Sequence, residues 1–503
     1  MNSDTTGMTI DRRTFWVLLG VITLIRFAFM ASFPIKNDEA MFVMWAQHLD
    51  IGYYDHPPFI GWLIWFMSLF SDSIVWFRMA ALIAGLVATW GVYYFASLNW
   101  GKASGRFAAI LFALSPSSLW LVVISNDVPL LVFLVLSAIS FHKAIAESRY
   151  SYSVLSGVLL GLAFLSKYFA VITGIGFLIY ALLEDPRKRL VHLGIVVAMV
   201  IPFALQHIYY NYHNCWATIN FLFFVRNANN NLGLGNFFSY LLELVLVLTP
   251  WGLWYLYRSR TRLAGWSENL LLILAATGIV IFGLMAFRTI IGLHFLLIFS
   301  PFVFALYGIF YEQNHARKIF IASLVYGLLL VAILTTLLFF PLRKLEGWNQ
   351  HANFVVGLAP SKVCTQLEKY QGMPLFTNYY AYSGILGYTC HRDIQVLFGE
   401  SRYGRQMDAW LDIRKLNGKE VAIVDLQQPN TENYKDYFKS YSTEQFKVYG
   451  APFYVFIGKG FNYEKYRDTV LRRILERDYS PPAWLPKGGC TFTERYFGKD
   501  QDK

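Results

Sequence analysis

Residues 37–59 read NDEAMFVMWAQHLDIGYYDHPPF, a polar and aromatic interruption in the first third of a very apolar chain. Asp38 and Glu39 stand near one end, and Asp55 with His56 near the other. The apolar segments on either side are long enough to cross a bilayer, so the question for this stretch is which membrane face it occupies. Of 503 residues, 56% are hydrophobic and only 15% charged, which excludes an ordinary soluble protein and indicates many spans. The net charge of +11 is carried in short loops between apolar runs. That distribution orients a membrane protein and argues against nucleic-acid binding. The start, MNSDTTGMTIDRR, is polar and precedes a long apolar run, so a retained anchor is expected rather than a cleaved signal peptide.

Apolar runs near the ~20 residues needed to span a bilayer recur along the chain. They lie at 14–33, 74–98, 106–124, 127–145, 153–166, 168–183, 190–210, 237–256, 269–287, 290–311 and 319–341. With the N-terminus cytoplasmic, the inner loops hold Arg12, Arg13, Lys102, Arg106, Lys143, Arg149, Arg187, Lys188, Arg189, Arg258, Arg260, Arg262, Arg317 and Lys318. The outer boundaries hold Lys36, Lys167, Arg226 and Arg288. This asymmetry is the positive-inside pattern, and it keeps a break at Lys167, because merging the two runs around it would place Lys188 and its neighbours outside. Gly157, Gly161, Gly174 and Gly176 suit close helix packing in those runs. About eleven spans then place everything after Leu342 on the outer side.

The tail 343–503 changes composition. Strand-like runs (PLFTN, DIQVLF, EVAIVDL, FKVYG, FYVFIG) alternate with helix-like stretches (SKVCTQLEKY, YGRQMDAWLDIRKL), which predicts a small α/β domain outside the membrane. The expected organisation is a mainly α membrane domain, 1–342, followed by this soluble domain, 343–503. The four cysteines, Cys215, Cys364, Cys390 and Cys490, form no close pair and no metal spacing. Two of Cys364, Cys390 and Cys490 could pair in an oxidising compartment, and buried free thiols are the equal alternative.

Collecting the outer helix ends gives Asp38, Glu39, Asp55, His56, Asp127, Lys167, Arg226, Arg288 and His294. Each has a plain reading. Asn37, Asp38 and Glu39 suit a helix start. Asp55 and His56 suit a solvated turn, although the rings and prolines of YYDHPPF suggest a shaped loop. Asp127 caps a helix whose first turn holds Pro129. Lys167, a lone cation between apolar helices, needs a partner or must snorkel. The stripe of Met41, Met44, Trp45 and Leu49 predicts that the helix after Asp38 lies in the membrane interface. Arg26, Arg78 and Glu243 fall in or near spans and are expected to pair among themselves.

Acids and cations at the outer end of a helical bundle suit a substrate with a lipid tail and an anionic head. Lys167 and Arg226 can hold a phosphate, and Asp38 can act as general base on an incoming hydroxyl. The lack of a nucleotide-binding glycine loop agrees with a lipid-linked donor. A transporter or flippase for lipid-linked saccharides is the alternative. It is disfavoured because such proteins place ionisable groups near the midplane of repeated halves, and no internal repeat is evident here. An inactive structural subunit is the third reading.

The stretch NDEAMFVMWAQHLDIGYYDHPPFIGWLIW resembles the first outer loop of the protein O-mannosyltransferase-like superfamily of bacterial GT-C glycosyltransferases. SNDVPLLVFLVL, GVLLGLAFLSKYFAVI, residues 216–226, RTIIGLHFLLIFSP, NYYAYSGILGYTC and RQMDAW extend the likeness over nearly the whole chain. The chain is similar to the lipid A aminoarabinose transferase and to lipopolysaccharide galacturonosyltransferases. The resemblance implies a GT-C fold with interfacial helices in the first outer loop and a periplasmic α/β domain. It also implies inverting transfer from a polyprenyl-phosphate-linked sugar donor in the bacterial inner membrane.

By the same resemblance, Asp38 matches the catalytic base. Asp55 matches a donor-pocket acid that binds metal in the aminoarabinose enzyme, Asp127 and Lys167 an acid and a phosphate-region lysine, and Arg226 a loop arginine. His56 stands where lysine is frequent. Phe223–Phe224–Val225 lacks the histidine that precedes the loop arginine, which weakens a divalent metal at Asp55 and argues against aminoarabinose as the sugar. Glu39, Arg288 and His294 are supporting candidates. The expected acceptor is an envelope lipid or glycan, with a protein acceptor as the alternative, and the chain is expected to act as a monomer among membrane lipids.

Overall fold

A computed structural model describes residues 10–183, 186–226, 233–263, 269–312 and 315–498. The start read as an uncleaved anchor lies partly outside these residues. The chain opens with helices α1 (Arg12–Ser32), α2 (Asn37–Gln47), α3 (Phe59–Ser68), α4 (Ile74–Ala113), α5 (Pro116–Trp120), α6 (Asp127–Ala146), α7 (Tyr150–Ser166), α8 (Ala170–Leu183) and α9 (Pro186–His213). The fold is mostly helical. Packing divides it into two compact units: Met1–Ser32, Ser71–Leu205 and Asn229–Leu337 form one, and Phe33–Phe70, Gln206–Ala228 and Leu338–Lys503 form the other.

The first unit is all helix. Among the described residues, α1, α4, α6, α9 and Ala316–Leu338 are each long and apolar enough to cross a membrane. The bent pair Leu234–Leu248 and Pro250–Arg258 adds one more if counted as a single span. Both α7 and α8 are shorter, as is Leu270–Ala286. The expected break at Lys167 is present, because its extended backbone (φ −163°, ψ 137°) ends α7. Gly101, with φ +80°, breaks α4 just before Lys102, where an inner loop was expected.

Three expected spans come out differently, each beside a proline. The run 106–124 stops at Ala113, and Pro116 starts the short α5. The run 237–256 bends by 89° where Thr249 (φ +66°) meets Pro250. The run 290–311 begins as a 3-10 turn, Leu293–Ile298, before the helix Ser300–Leu306, which has Pro301 in its first turn. A Cβ on Gly157 would stand 2.6 Å from the Val196 carbonyl, and one on Gly161 2.2 Å from the Phe203 ring. Those glycines bring α7 and α9 together as expected.

Arg26 and Arg78 hydrogen-bond to main-chain carbonyls rather than forming the expected pairing with Glu243. Arg26 Nη2 donates to Leu121 O at 2.9 Å and Arg78 Nη1 to Met30 O at 2.7 Å. A buried guanidinium carries several donors, and each of these carbonyls accepts from one of them.

The second unit is built on a five-stranded sheet ordered β2-β1-β3-β5-β4. Its strands are β1 (Leu375–Thr377), β2 (Gln395–Val396), β3 (Val421–Asp425), β4 (Ser440–Val448) and β5 (Ala451–Lys459), all within the strand-like runs of the tail or extending them. The first three are parallel, and β5 runs antiparallel to β3 and β4. Its core joins Phe376, Ile423, Phe456 and Leu471 of the tail to Tyr54 of the first loop and to Ala217 and Phe221.

That shared core explains why packing groups these stretches differently from the sequence division at 342/343. Hydrogen bonds reinforce it: Tyr54 N donates to Gln406 Oε1 at 2.6 Å, and Asn220 Nδ2 donates to Asp478 O at 3.0 Å. All four cysteines are paired, as Cys215–Cys490 and Cys364–Cys390, both in this unit. The first pairing includes Cys215, which the sequence reading had set aside.

One helix departs from expectation. Met41, Met44 and Trp45 of α2 are buried within the unit, as is every residue from Glu39 to Ala46. Trp45 stacks on Tyr53 with ring centres 4.3 Å apart. Met41, Met44 and Trp45 therefore form a packing face rather than a lipid-facing one, while Leu49, beyond the end of α2, stays exposed. The helix whose apolar groups remain exposed is α3, with Trp65 and Phe66, followed by Leu69 and Phe70.

Candidate functional site

The first turn of α2 holds two acids with different surroundings. Asp38 is exposed, whereas Glu39 is buried and its Oε2 accepts from the Lys36 N–H at 2.9 Å. Glu39 thus satisfies an open amide at the helix start and belongs to the scaffold. Asp38 is exposed in the first turn, at the positive end of the helix dipole.

A residue that sequence reasoning missed stands near Asp38. Tyr380 begins the helix Tyr380–Cys390. Burial pushes its phenol well above the usual range, and the negative charges of Asp38 and, less strongly, Asp55 add to the push. Tyr380 therefore stays protonated, a hydrogen-bond donor within electrostatic reach of both acids. Two glycines allow this placement. At Gly384 a Cβ would lie 3.0 Å from the Ala40 Cβ, so α2 and the Tyr380–Cys390 helix approach closely. At Gly404, where φ is +75°, a Cβ would meet that of Tyr380 at 2.3 Å. The run Tyr379–Tyr380–Tyr382 with Gly384 is the signal in the sequence, though nothing local ties it to Asp38.

Asp55 and His56 are both half-buried, with Asp55 Oδ1 and His56 Nδ1 3.2 Å apart. The Nδ1 lacks the geometry of a hydrogen bond to the acid. The His56 ring lies 5.7 Å from Trp45 and 6.3 Å from Phe42, which holds it in an aromatic wall. Arg226 follows the π-helical turn Phe221–Val225. The Arg226 carbonyl accepts from Arg402 Nη1 at 3.1 Å, and the Val225 carbonyl accepts from the same guanidinium nitrogen. Arg402, also missed from sequence, thus pins the end of that turn.

In the helical unit, Asp127 and Lys167 are brought together. Lys167 Nζ donates to Asp127 Oδ1 at 2.6 Å, with both side chains buried. The ammonium also stands 4.9 Å from the centre of the Phe295 ring. His294 lies edge-on to Phe295 at 4.5 Å and stacks on Trp120 at 5.8 Å. Asp127, Lys167 and His294 therefore cluster around Phe295, while Arg288 is exposed.

A metal would need more ligands than Asp55 and His56 supply. Among the described residues no group of three or more His, Cys, Asp or Glu side chains is placed to hold one. The residues around Asp55 do not fit a divalent site, and no step is derived through a metal. Chemically, an exposed Asp38 carboxylate within electrostatic reach of a protonated phenol suits proton abstraction from an approaching hydroxyl.

Residues 55–209 match the family described as dolichyl-phosphate-mannose-protein mannosyltransferase. Over 179 residues the chain is 30% identical to the lipid A galacturonosyltransferase RgtD of Rhizobium johnstonii, a match covering 35% of this chain and 38% of that protein. The matched part is thus well under half of the relative's length. The crystal structure of ArnT from Cupriavidus metallidurans bound to undecaprenyl phosphate superposes with a TM-score of 0.62 at 15% identity, covering 88% of this chain and 98% of that one. Its apo state gives 0.61 over 89% and 98%. The structural matches share the fold, and over part of the chain the sequence matches agree with it: the chain is similar to GT-C transferases that modify lipid A.

Proposed function

We propose that this protein moves a sugar from a polyprenyl-phosphate donor to a hydroxyl or phosphate acceptor on an envelope lipid or glycan of the lipid A or lipopolysaccharide type. The carrying observation is the exposed Asp38 carboxylate, in the first turn of a buried helix and within electrostatic reach of Tyr380. In the proposed step Asp38 accepts the proton of the acceptor hydroxyl, and the acceptor oxygen attacks the anomeric carbon. The bond from that carbon to the phosphate oxygen breaks, and the lipid phosphate departs with the electron pair. Attack opposite the leaving group inverts the anomeric centre. Lys167 and Arg226 are assigned to the phosphate, with Asp127 holding the Lys167 ammonium by the 2.6 Å bond. Asp55 and His56 are assigned to the sugar head group, with Arg288 and His294 in supporting positions.

The expected location is the bacterial inner membrane, with the N-terminus cytoplasmic, about eleven spans and the sheet-bearing unit periplasmic. The basic loops support that orientation. So do Cys215–Cys490 and Cys364–Cys390, because disulfides persist in oxidising compartments. Mass spectrometry of envelope lipids and glycans from a deletion strain tests the assignment. A single sugar should be missing from lipid A or the lipopolysaccharide core. Unchanged lipids with loss of hexose from secreted proteins would instead point to a protein acceptor.

A further inference from the structure

The sheet carries a cleft of about 910 Å³ that the transfer chemistry does not use. It opens where the three parallel strands end: Asn378 follows β1, Phe398 and Gly399 follow β2, and Leu426 and Gln427 follow β3. Loops at the carboxyl ends of parallel strands are where open α/β sheets hold ligands. The volume falls within the range of about 300–1,000 Å³ that serves small ligands. Phe398 sits there with φ +57°, a backbone conformation that large side chains rarely adopt. Its N–H donates to the Tyr466 hydroxyl at 3.2 Å, which helps hold the turn.

The lining chemistry selects the ligand. Its charges are neutralised in pairs. Arg473 meets Glu400 at 3.6 Å, and Arg477 meets Asp478 at 2.7 Å. Glu432 meets Lys435 at 2.5 Å, and Asp436 meets Lys465 at 3.3 Å. The charges of the lining therefore roughly balance, and its net charge favours neither an anion nor a cation. What remains is a set of amides, Asn349, Asn353, Asn378, Gln427 and Asn433, each able to donate and accept at once. Among them stand the rings of Tyr379, Tyr382, Tyr434 and Tyr437. Part of the set is already ordered: Tyr382 donates to Asn353 Oδ1 at 2.5 Å, and Tyr434 donates to Asp425 Oδ2 at 3.2 Å. Amides suit vicinal hydroxyls, and phenol rings suit the apolar faces of pyranoses.

We propose that this cleft binds a saccharide, the oligosaccharide portion of the acceptor. Only the word acceptor rests on the glycosyltransferase reading; the binding chemistry does not. An extended peptide is the less suited occupant, because peptides join sheets along a strand edge and the cleft lies at strand ends.

The test uses the full chain in detergent and lipopolysaccharide core oligosaccharide freed from its lipid, with saturation-transfer NMR titration. Saturable binding is expected, weakened at least tenfold by the double variant Gln427→Ala/Asn433→Ala, whose side chains are exposed and should leave folding intact. Asp38→Asn should bind the oligosaccharide like the parent. Absent or non-saturable binding overturns the proposal, as does binding unaffected by the double variant, or an extended peptide bound in preference at this cleft. Sugar transfer by the parent with no saccharide binding here would reject the cleft alone. Binding here without any transfer would reject the transferase reading alone.

Discussion

Lys167 and Asp127 form a buried ion pair with Nζ and Oδ1 2.6 Å apart. Lys167 lies at the break between α7 and α8, and Asp127 opens α6, so one pair ties three helices. Removing one partner strands the other charge, at about 3–5 kcal/mol, whereas replacing both with apolar groups of similar volume is nearly neutral. Lys167→Met should therefore lower the melting temperature in detergent sharply, and Lys167→Met/Asp127→Leu should recover most of it. Equal melting temperatures for the single and double variants would contradict a coupled pair.

Tyr380 is predicted to assist Asp38 without taking a proton itself. Its phenol is held protonated by burial and by the carboxylates nearby. Tyr380→Phe removes a protonated phenol within electrostatic reach of Asp38, so it should lower kcat/KM while leaving the melting temperature near the parent's. A loss of about tenfold in kcat/KM is expected, the scale of one polar interaction. A Tyr380→Phe enzyme with unchanged kcat/KM would confine Tyr380 to packing.

The local signals in the sequence were good guides, and the long-range ones were not. Helix ends at Lys167 and the strands β1 to β5 follow from periodicity and turn residues, which are properties of short windows. The stripe of Met41, Met44 and Trp45 was equally compatible with lipid and with protein. Only the tail, through Gly384 beside Ala40, decides for protein. Lys167 announced that it needed a partner, but Asp127 is forty residues away, a separation carried by the fold and not by any motif. Tyr380 could not be linked to Asp38 from sequence for the same reason. The prolines at 116, 250 and 301 are visible in the sequence, but hydropathy windows register apolar length and not the backbone breaks these residues impose.

The disulfide Cys215–Cys490 joins residues 275 apart in sequence. Backbone and side-chain bonds reinforce it: Cys215 N donates to Gly489 O at 2.9 Å, and Trp216 Nε1 donates to Pro486 O at 2.8 Å. Removing a native disulfide that closes a long loop costs about 2–5 kcal/mol. Cys215→Ser/Cys490→Ser should therefore raise susceptibility of the sheet-bearing unit to limited proteolysis. Without reductant the parent should show no thiol that reacts with maleimide after denaturation. Free thiols in protein isolated from membranes would contradict the pairing.

Asp425 ends β3, and burial raises its carboxyl to about 6 despite the hydrogen bond from Tyr434. A folded pKa above the unfolded one means the folded state binds the proton more tightly. This group's contribution to stability is therefore greatest at low pH and falls as pH rises through roughly 4 to 6. Two pKa units correspond to about 3 kcal/mol. Asp425→Asn keeps an acceptor for Tyr434 and removes the titration. Its melting temperature should exceed the parent's above pH 6, with the advantage vanishing near pH 4. A constant difference across that range would contradict the assignment.

The central claim is tested most directly by single-turnover sugar transfer with purified protein, an undecaprenyl-phosphate-linked sugar and a lipid A acceptor. With the sugar identified from the deletion strain, the parent should transfer it with inversion. Asp38→Asn, melting at the parent's temperature, should be slower by about 10²–10⁴-fold, the range set by loss of a positioned general base. Transfer by Asp38→Asn at the parent's rate would contradict the account.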